Sequence, residues 1–275
     1  MRKEEIEDIE VKLLLEAIQA RYGHDFRDYS RASIKRRLRN HAGKARARYI
    51  SEMISHLLHD ESYFQELIYD LSITVTEMFR DPEFFMAMRQ LIVPHLKTHP
   101  FVKIWHAGCA TGEEVYSLAI ILKEEGFYDR ATIFATDFND MALAKAGEGI
   151  YPLEKMREFT ANYQKAGGVG SFSDYYVTGY DSAILDPALK KNITFANHNL
   201  VTDSVFGEMH LIVCRNVLIY FNKTLQDRVL GLFRDSLTSG GILCLGSKES
   251  LHSSSIEDEF KTLNQKWKIF RKSLR

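Results

Sequence analysis

Near residue 100 the hydrophobic pattern of this chain changes period, and that change limits its architecture more than any other feature. From residue 3 to about 97 the apolar residues recur at helical spacing, as in Ile9, Leu13, Leu14 and Ile18 and again in Tyr49, Ile50, Met53, Ile54 and Leu57. This spacing predicts four or five helices. Asp81-Pro82 opens the last of them, because Asp is a good N-cap and Pro is tolerated at the first helical position. Beyond residue 100, short apolar runs alternate with helical stretches: Phe101 to Trp105, Ile133 to Thr136, Ile193 to Ala196, Met209 to Cys214 and Ile242 to Leu245. That alternation implies a mostly parallel, doubly wound sheet, with FKTLNQKWKIFRK able to supply a closing antiparallel strand at one edge.

Between about 152 and 190 the chain fits neither rhythm, and AGGVGSFSDYYVTGYDSAI carries turn signals every few residues. So long a stretch without structure is uncommon inside a compact domain, so a small inserted antiparallel β-subdomain is expected there.

With 275 residues, 45% of them hydrophobic, the chain has room for two domains. Its first twenty residues mix charge with apolar side chains, and no stretch approaches the roughly 20 apolar residues that cross a bilayer. A soluble, unsecreted, cytoplasmic protein without direct membrane insertion is expected. Cys109, Cys214 and Cys244 are odd in number and lack CxxC spacing, which favours reduced thiols over disulfides or a zinc site, and no metal is expected. The net charge is −1, yet residues 31–48 hold eight Lys or Arg and no acid. That local excess calls for a partner or for solvent.

In WHAGCATGEEVYSLAI, residues 105–120, a strand ends at His106, a glycine turn follows, and a helix begins near Glu113. Such a first crossover binds ligands at the carboxyl ends of the strands. Dinucleotide enzymes use G-x-G-x-x-G to bring a helix N-terminus to a pyrophosphate. Here Gly108 and Gly112 are four apart and the third glycine is missing, which disfavours NAD or FAD and suits S-adenosylmethionine, a cofactor with no phosphate. Asp137 ends the second strand, where it can accept from ribose hydroxyls or cap the next helix. Glu114 either meets the cofactor or closes a capping box with Thr111. Asn199-Leu200 and Arg215-Asn216 follow two further strands on the same rim; each alone could be a solvated loop, but four rim segments converge on one crevice.

TVTEMFRD at 74–81, AGCATGEEVYSLA at 107–119, FATD at 134–137, NHNL at 197–200 and CRNVLIYFN at 214–222 together resemble the CheR-type chemotaxis-receptor glutamate O-methyltransferases over nearly the whole chain. The resemblance implies an α/β fold: a class I (Rossmann-like) methyltransferase sheet at 81–275, an all-α N-terminal domain at 1–80 and the β-subdomain at about 152–190. It implies S-adenosylmethionine as methyl donor, S-adenosylhomocysteine as product, and glutamate carboxylates in the cytoplasmic helical region of a chemoreceptor as acceptors. Carried over residue by residue, the cofactor contacts would be Thr74, Thr76, Arg80, Glu114, Asp137, Asn199, Leu200, Arg215 and Asn216, with Thr74 standing where the family often has Asn.

A glutamate carboxylate with a reference pKa near 4.3 is already ionised at neutral pH, so its methylation rests on alignment and needs no general base. Arg80 and Tyr220 are the candidates for alignment, the first through its forked guanidinium and the second through its hydroxyl. As plainer readings, Arg80 is a surface ion pair and Tyr220 a core side chain. Ile34 and Leu38 can face a core while Arg31, Lys35, Arg36 and Arg39 line the exposed side of the same helix, a stripe suited to docking an acidic receptor helix or simply solvated. The expected protein is a monomer that does not bind nucleic acid, since CRNVLIYF lacks the D/N-P-P-Y/F of base methylation. The rivals are a methyltransferase acting on nucleic acid or another acidic protein, and a non-catalytic cofactor-binding scaffold.

Overall fold

The computed structural model describes residues 2–72 and 76–274. By their packing these divide into two compact units: 2–72 with the returning segments 201–203 and 220–229, and 76–200 with 204–219 and 230–274. The division thus falls a few residues before the expected boundary at 80/81.

The first unit is helical, with α1 (Lys3–Tyr22), α2 (Arg31–Lys44), α3 (Met53–His59) and α4 (Glu61–Leu71). α1 forms where the spacing predicts, but its buried stripe is Val11, Leu14, Leu15 and Ile18, while Ile9 and Leu13 stay 47% and 48% exposed. The helix carries apolar residues on more than one side, and the side nearer Val11 packs. α2 buries Ile34 and Leu38, and Asp60 caps α4 by accepting from the amides of Ser62 and Tyr63.

In the second unit α5 (Pro82–Ala87) and α6 (Val93–Leu96) are joined by a π-helical turn, Met88–Ile92. The α5 helix opens at Pro82 as expected, but the Asp81 side chain caps nothing. Next come β1 (Val102–Ala107), α7 (Glu113–Glu124), β2 (Ala131–Asp137), α8 (Asp140–Glu148), β3 (Ile150–Pro152), α9 (Met156–Lys165), β4 (Tyr176–Gly179), β5 (Ser182–Leu185) and β6 (Ile193–Asn197). β7 (Met209–Cys214), α10 (Lys223–Ser236), β8 (Leu237–Leu245), β9 (Phe260–Asn264) and β10 (Ile269–Lys272) complete the chain.

The main sheet runs β6-β2-β1-β7-β8-β10-β9. Its first five strands are parallel, and the C-terminal stretch forms an antiparallel pair of strands at the edge, one strand more than anticipated. Strand order reverses at β1, flanked by β2 and β7, and a doubly wound sheet binds its ligand outside the carboxyl ends at such a point. Ile104, Ile133, Leu211 and Ile242 are fully buried in the sheet, each worth about 1.5–3 kcal/mol of burial.

The 152–190 segment holds the small antiparallel sheet β3-β5-β4 and also a helix, α9, that turn signals alone did not reveal. Glu124, at the end of α7, fastens this segment by accepting from the hydroxyls of Tyr163 and Tyr175 and the amide of Val169.

Candidate functional site

Between β1 and α7 the chain turns through Gly108 (φ 76°), Ala110 (φ 48°) and Gly112 (φ 90°). The amides of Gly108 and Cys109 both donate to the Thr136 carbonyl, at 2.8 and 2.9 Å, so the turn hangs from the end of β2. A Cβ on Gly108 would lie 2.5 Å from Cγ2 of Val217, so the loop after β7 approaches to a distance that only glycine allows. The capping box does not form. Gly112 is the N-cap of α7 with no side-chain bond, and the Thr111 hydroxyl instead donates to Glu113 at 2.7 Å. Burial pushes the Glu113 carboxyl up to about 7, against the pull of that hydroxyl.

Asp137 ends β2, buried, as the strand pattern requires. One carboxylate oxygen accepts from the Ala110 amide at 2.9 Å and the other from Asn139 at 3.1 Å, which ties the first turn to the second. The cap of α8 is Asn139, which accepts from Ala142, so Asp137 does not fill that role. Burial raises the pKa of Asp137 despite bonds from the amides of Ala110, Asn139 and Phe138.

Glu114 points below the rim into a charge network. Its two oxygens meet Nη1 of Arg215 at 2.5 Å and Nε2 of His106 at 3.1 Å. Nη2 of Arg215 reaches Asp81 at 2.6 Å, and its Cζ lies 4.0 Å from the Phe84 ring centre. Burial alone would raise the Glu114 pKa, but the Arg215 charge and the His106 bond outweigh it and the net shift is downward. Asp81 is therefore an ion-pair partner where sequence suggested a cap, because a buried guanidinium offers it more than one exposed helix amide does.

Thr76 and Arg80 lie half-buried on the segment entering α5, where the Arg80 carbonyl accepts from Nη1 of Arg215 at 3.4 Å. Thr74 lies outside the described residues. Asn199 is half-buried and Leu200 buried, just beyond His198, whose amide donates to the Asp137 carbonyl at 3.1 Å. Asn216 follows Arg215 in the left-handed region, φ 61°. The second unit thus gathers Thr76, Arg80, Glu114, Asp137, Asn199, Leu200, Arg215 and Asn216, together with Asp81, His106 and Glu249, which the sequence reading did not single out. Glu249 follows the end of β8, a strand-end position that could have marked it.

Tyr220 and the basic stripe belong to the helical unit. The guanidinium of Arg37 lies 4.8 Å from the Tyr220 ring centre, and the Tyr220 carbonyl accepts from Ser30 at 2.7 Å. Tyr220 is half-buried, not a core residue. In the expected docking stripe, Lys35 pairs with Asp8 at 2.7 Å and Arg39 is bidentate on Glu7 at 2.5 and 2.6 Å. The acidic first turns of α1 claim these two cations. Arg31 and Arg36 are exposed and form no ion pair among the described residues.

The rim suits S-adenosylmethionine on its own structure. It has a buried acid at the end of β2, and Nε of Arg215 is a buried donor without a partner among the described residues. A parallel class I sheet with such a rim defines an S-adenosylmethionine-binding methyltransferase. The model of the CheR methyltransferase SAM-binding domain matches residues 74–269 and that of the CheR all-alpha domain matches 9–72, and the chain belongs to the CheR methyltransferase family. A protein called Cher3 in Pseudomonas putida is 51% identical over 273 residues, covering 99% of this chain and 100% of the relative. Chemotaxis protein methyltransferase 2 of Pseudomonas aeruginosa is 31% identical, covering 83% and 80% of the two chains. The chemotaxis protein methyltransferase of Listeria innocua is 30% identical, covering 83% and 85%.

Proposed function

We propose that this methyltransferase esterifies glutamate side chains in the cytoplasmic helical region of a chemoreceptor, for sensory adaptation. What supports this reading most is the match of residues 74–269 and 9–72 to the two CheR methyltransferase domains; beside it, Glu114 is engaged by Arg215 and His106 with its pKa lowered, so it is not poised to take a substrate proton. A nucleophile ionised in advance needs no such group, and a glutamate carboxylate is one. The names of the relatives point the same way.

When bound, S-adenosylmethionine supplies a methyl group activated by the adjacent sulfonium. The protein's part is alignment: holding the carboxylate oxygen about 3–3.5 Å from that carbon is worth several kcal/mol of barrier. Transfer to an ionised carboxylate would require no proton movement, so the chain's residues would bind and orient the two reactants and none would act as acid or base. Thr76, Asn199, Leu200, Arg215 and Asn216 would hold the cofactor with Glu114 and Asp137, and Thr74 would join them. Arg80 and Tyr220 would orient the acceptor carboxylate. Arg31 and Arg36 are the cations available for an acidic receptor helix, with Lys35 and Arg39 released to it only if their pairs open. We place the protein in the cytoplasm as a monomer; among the described residues no helix is long and apolar enough to cross a membrane.

The test is transfer of labelled methyl to a receptor cytoplasmic fragment, read as alkali-labile ester, beside calorimetry with S-adenosylhomocysteine and NAD. Ester formation with S-adenosylhomocysteine binding and no NAD binding supports the reading. Alkali-stable label, or label on nucleic acid only, sinks it.

A further inference from the structure

Glu249 is 5% exposed and lies outside every motif quoted above. Its carboxylate is enclosed by backbone amides. Oε2 accepts from Gly246 at 2.5 Å and Asn216 at 3.2 Å, Oε1 accepts from Ile219 at 3.3 Å, and the Leu218 amide also bonds to the group. No ion pair to Glu249 is present among the described residues; burial raises its pKa, and the surrounding backbone amides oppose that rise.

Those amides belong to two loops. Gly246 leaves β8, whereas Asn216, Leu218 and Ile219 form the loop that leaves β7 and carries Arg215 and Asn216. A Cβ on Gly246 would lie 2.8 Å from both the Asn216 nitrogen and Oε2 of Glu249, so the loops meet where only glycine fits. Asn216 adopts a left-handed backbone, which Asn tolerates better than other non-glycine residues and which neighbouring contacts here help to hold. Glu249 holds it from one side, while Val217 packs over Gly108 on the other.

We propose that Glu249 is a positioning residue of the cofactor site, acting through the amides of Gly246, Asn216 and Ile219 to fix Arg215 and Asn216 where they meet S-adenosylmethionine. This rests on the assignment of Arg215 and Asn216 as cofactor contacts. The amides around Glu249 bond its carboxylate, whose two oxygens together serve several N–H donors, whereas a neutral amide offers only one acceptor oxygen.

The experiment is calorimetry of S-adenosylhomocysteine with the wild type, Glu249→Gln, Asn216→Ala and the double variant, with amide NMR of the same proteins. Glu249→Gln turns one acceptor oxygen into a donor facing N–H groups, so affinity falls roughly 10-fold while the fold persists. The Gly246, Asn216 and Ile219 amide resonances move upfield together. The double variant binds about as well as the weaker single one, because both act through one loop. If Asn216→Ala leaves affinity unchanged, the assignment of Asn216 fails. If Asn216→Ala weakens binding while Glu249→Gln moves neither affinity nor the three resonances, the role of Glu249 is overturned. Should Glu249→Gln not fold, hydrogen exchange on the wild type decides: Asn216 and Ile219 amides as slow as those of β7 without cofactor uphold the role, and loop-like exchange rejects it.

Discussion

Glu114 and Arg215, 101 positions apart in sequence, meet at 2.5 Å beneath the rim, and the same guanidinium bonds Asp81 at 2.6 Å. One cation therefore joins the first turn of α7, the loop after β7 and the residue before α5. A buried ion pair adds little stability in sum, but removing one partner strands the other charge in the interior.

Glu114→Gln should accordingly lower unfolding free energy by about 3–5 kcal/mol, since Arg215 then lies buried with half its pairing. Urea unfolding monitored by circular dichroism measures it, and a loss below about 1 kcal/mol would show that Asp81 and the Phe84 ring suffice.

Asp137→Asn keeps one oxygen for an amide but turns an NH2 toward the other, at Ala110 or Asn139. The turn loses its tie and the proposed ribose contact its acceptor, so S-adenosylhomocysteine affinity should drop about 10-fold or more. Equal affinity in calorimetry would remove Asp137 from the site.

His95, His99 and His210 form a cluster with ring centres 5.5 and 4.9 Å apart. Burial, then the positive charge of neighbours, lowers the pKa of His95 and of His210 below the ordinary value of 6.5. The folded state thus binds protons less readily than the unfolded state. Stability is fully present above pH 6.5 and is lost as pH falls from there through the folded pKa values. His210→Gln should flatten the change between pH 7.5 and 5.5 in urea unfolding, with other groups common to both proteins. An identical slope in the variant contradicts the cluster's part.

Charge reversal at Arg36 should raise the Michaelis constant for receptor fragment at low salt and leave the melting temperature within about 1 °C, because the side chain is exposed and forms no ion pair among the described residues. Reversal at Lys35 or Arg39 also breaks the pairs with Asp8 or Glu7, so any effect there mixes docking with repulsion inside the helical unit. Michaelis constants unchanged for both Arg31 and Arg36 reversals would rule out docking through this face.

Tyr220→Phe should cut kcat about 10-fold or more and leave S-adenosylhomocysteine affinity unaltered, if its hydroxyl aligns the carboxylate. A kcat equal to wild type would remove the Tyr220 hydroxyl from the alignment of the carboxylate.

Much of the site was legible because it sits where strands end. Asp137, Asn199 and Arg215 each follow an apolar run, and the rule that ligands gather at carboxyl ends places them on one rim before any coordinates exist. The capping box failed for the opposite reason: Thr111 and Glu114 have the right spacing, but spacing is blind to Arg215, which outbids a helix amide for the carboxylate. The partners of Lys35 and Arg39 were hidden likewise, since α1 and its acids could not be docked on α2 from periodicity.

The sequence by itself determined the helical first unit, the parallel sheet and the residues of the glycine turn, because periodicity and turn chemistry act over a few neighbouring residues. Tertiary structure alone decided the partners of the charged groups: Glu114 with Arg215, Asp81 with Arg215, Lys35 with Asp8, and Glu249 with the amides of a loop some thirty residues earlier. The physical reason is that a buried charge takes the best partner within hydrogen-bond reach, and which partner is in reach is fixed only when distant segments pack.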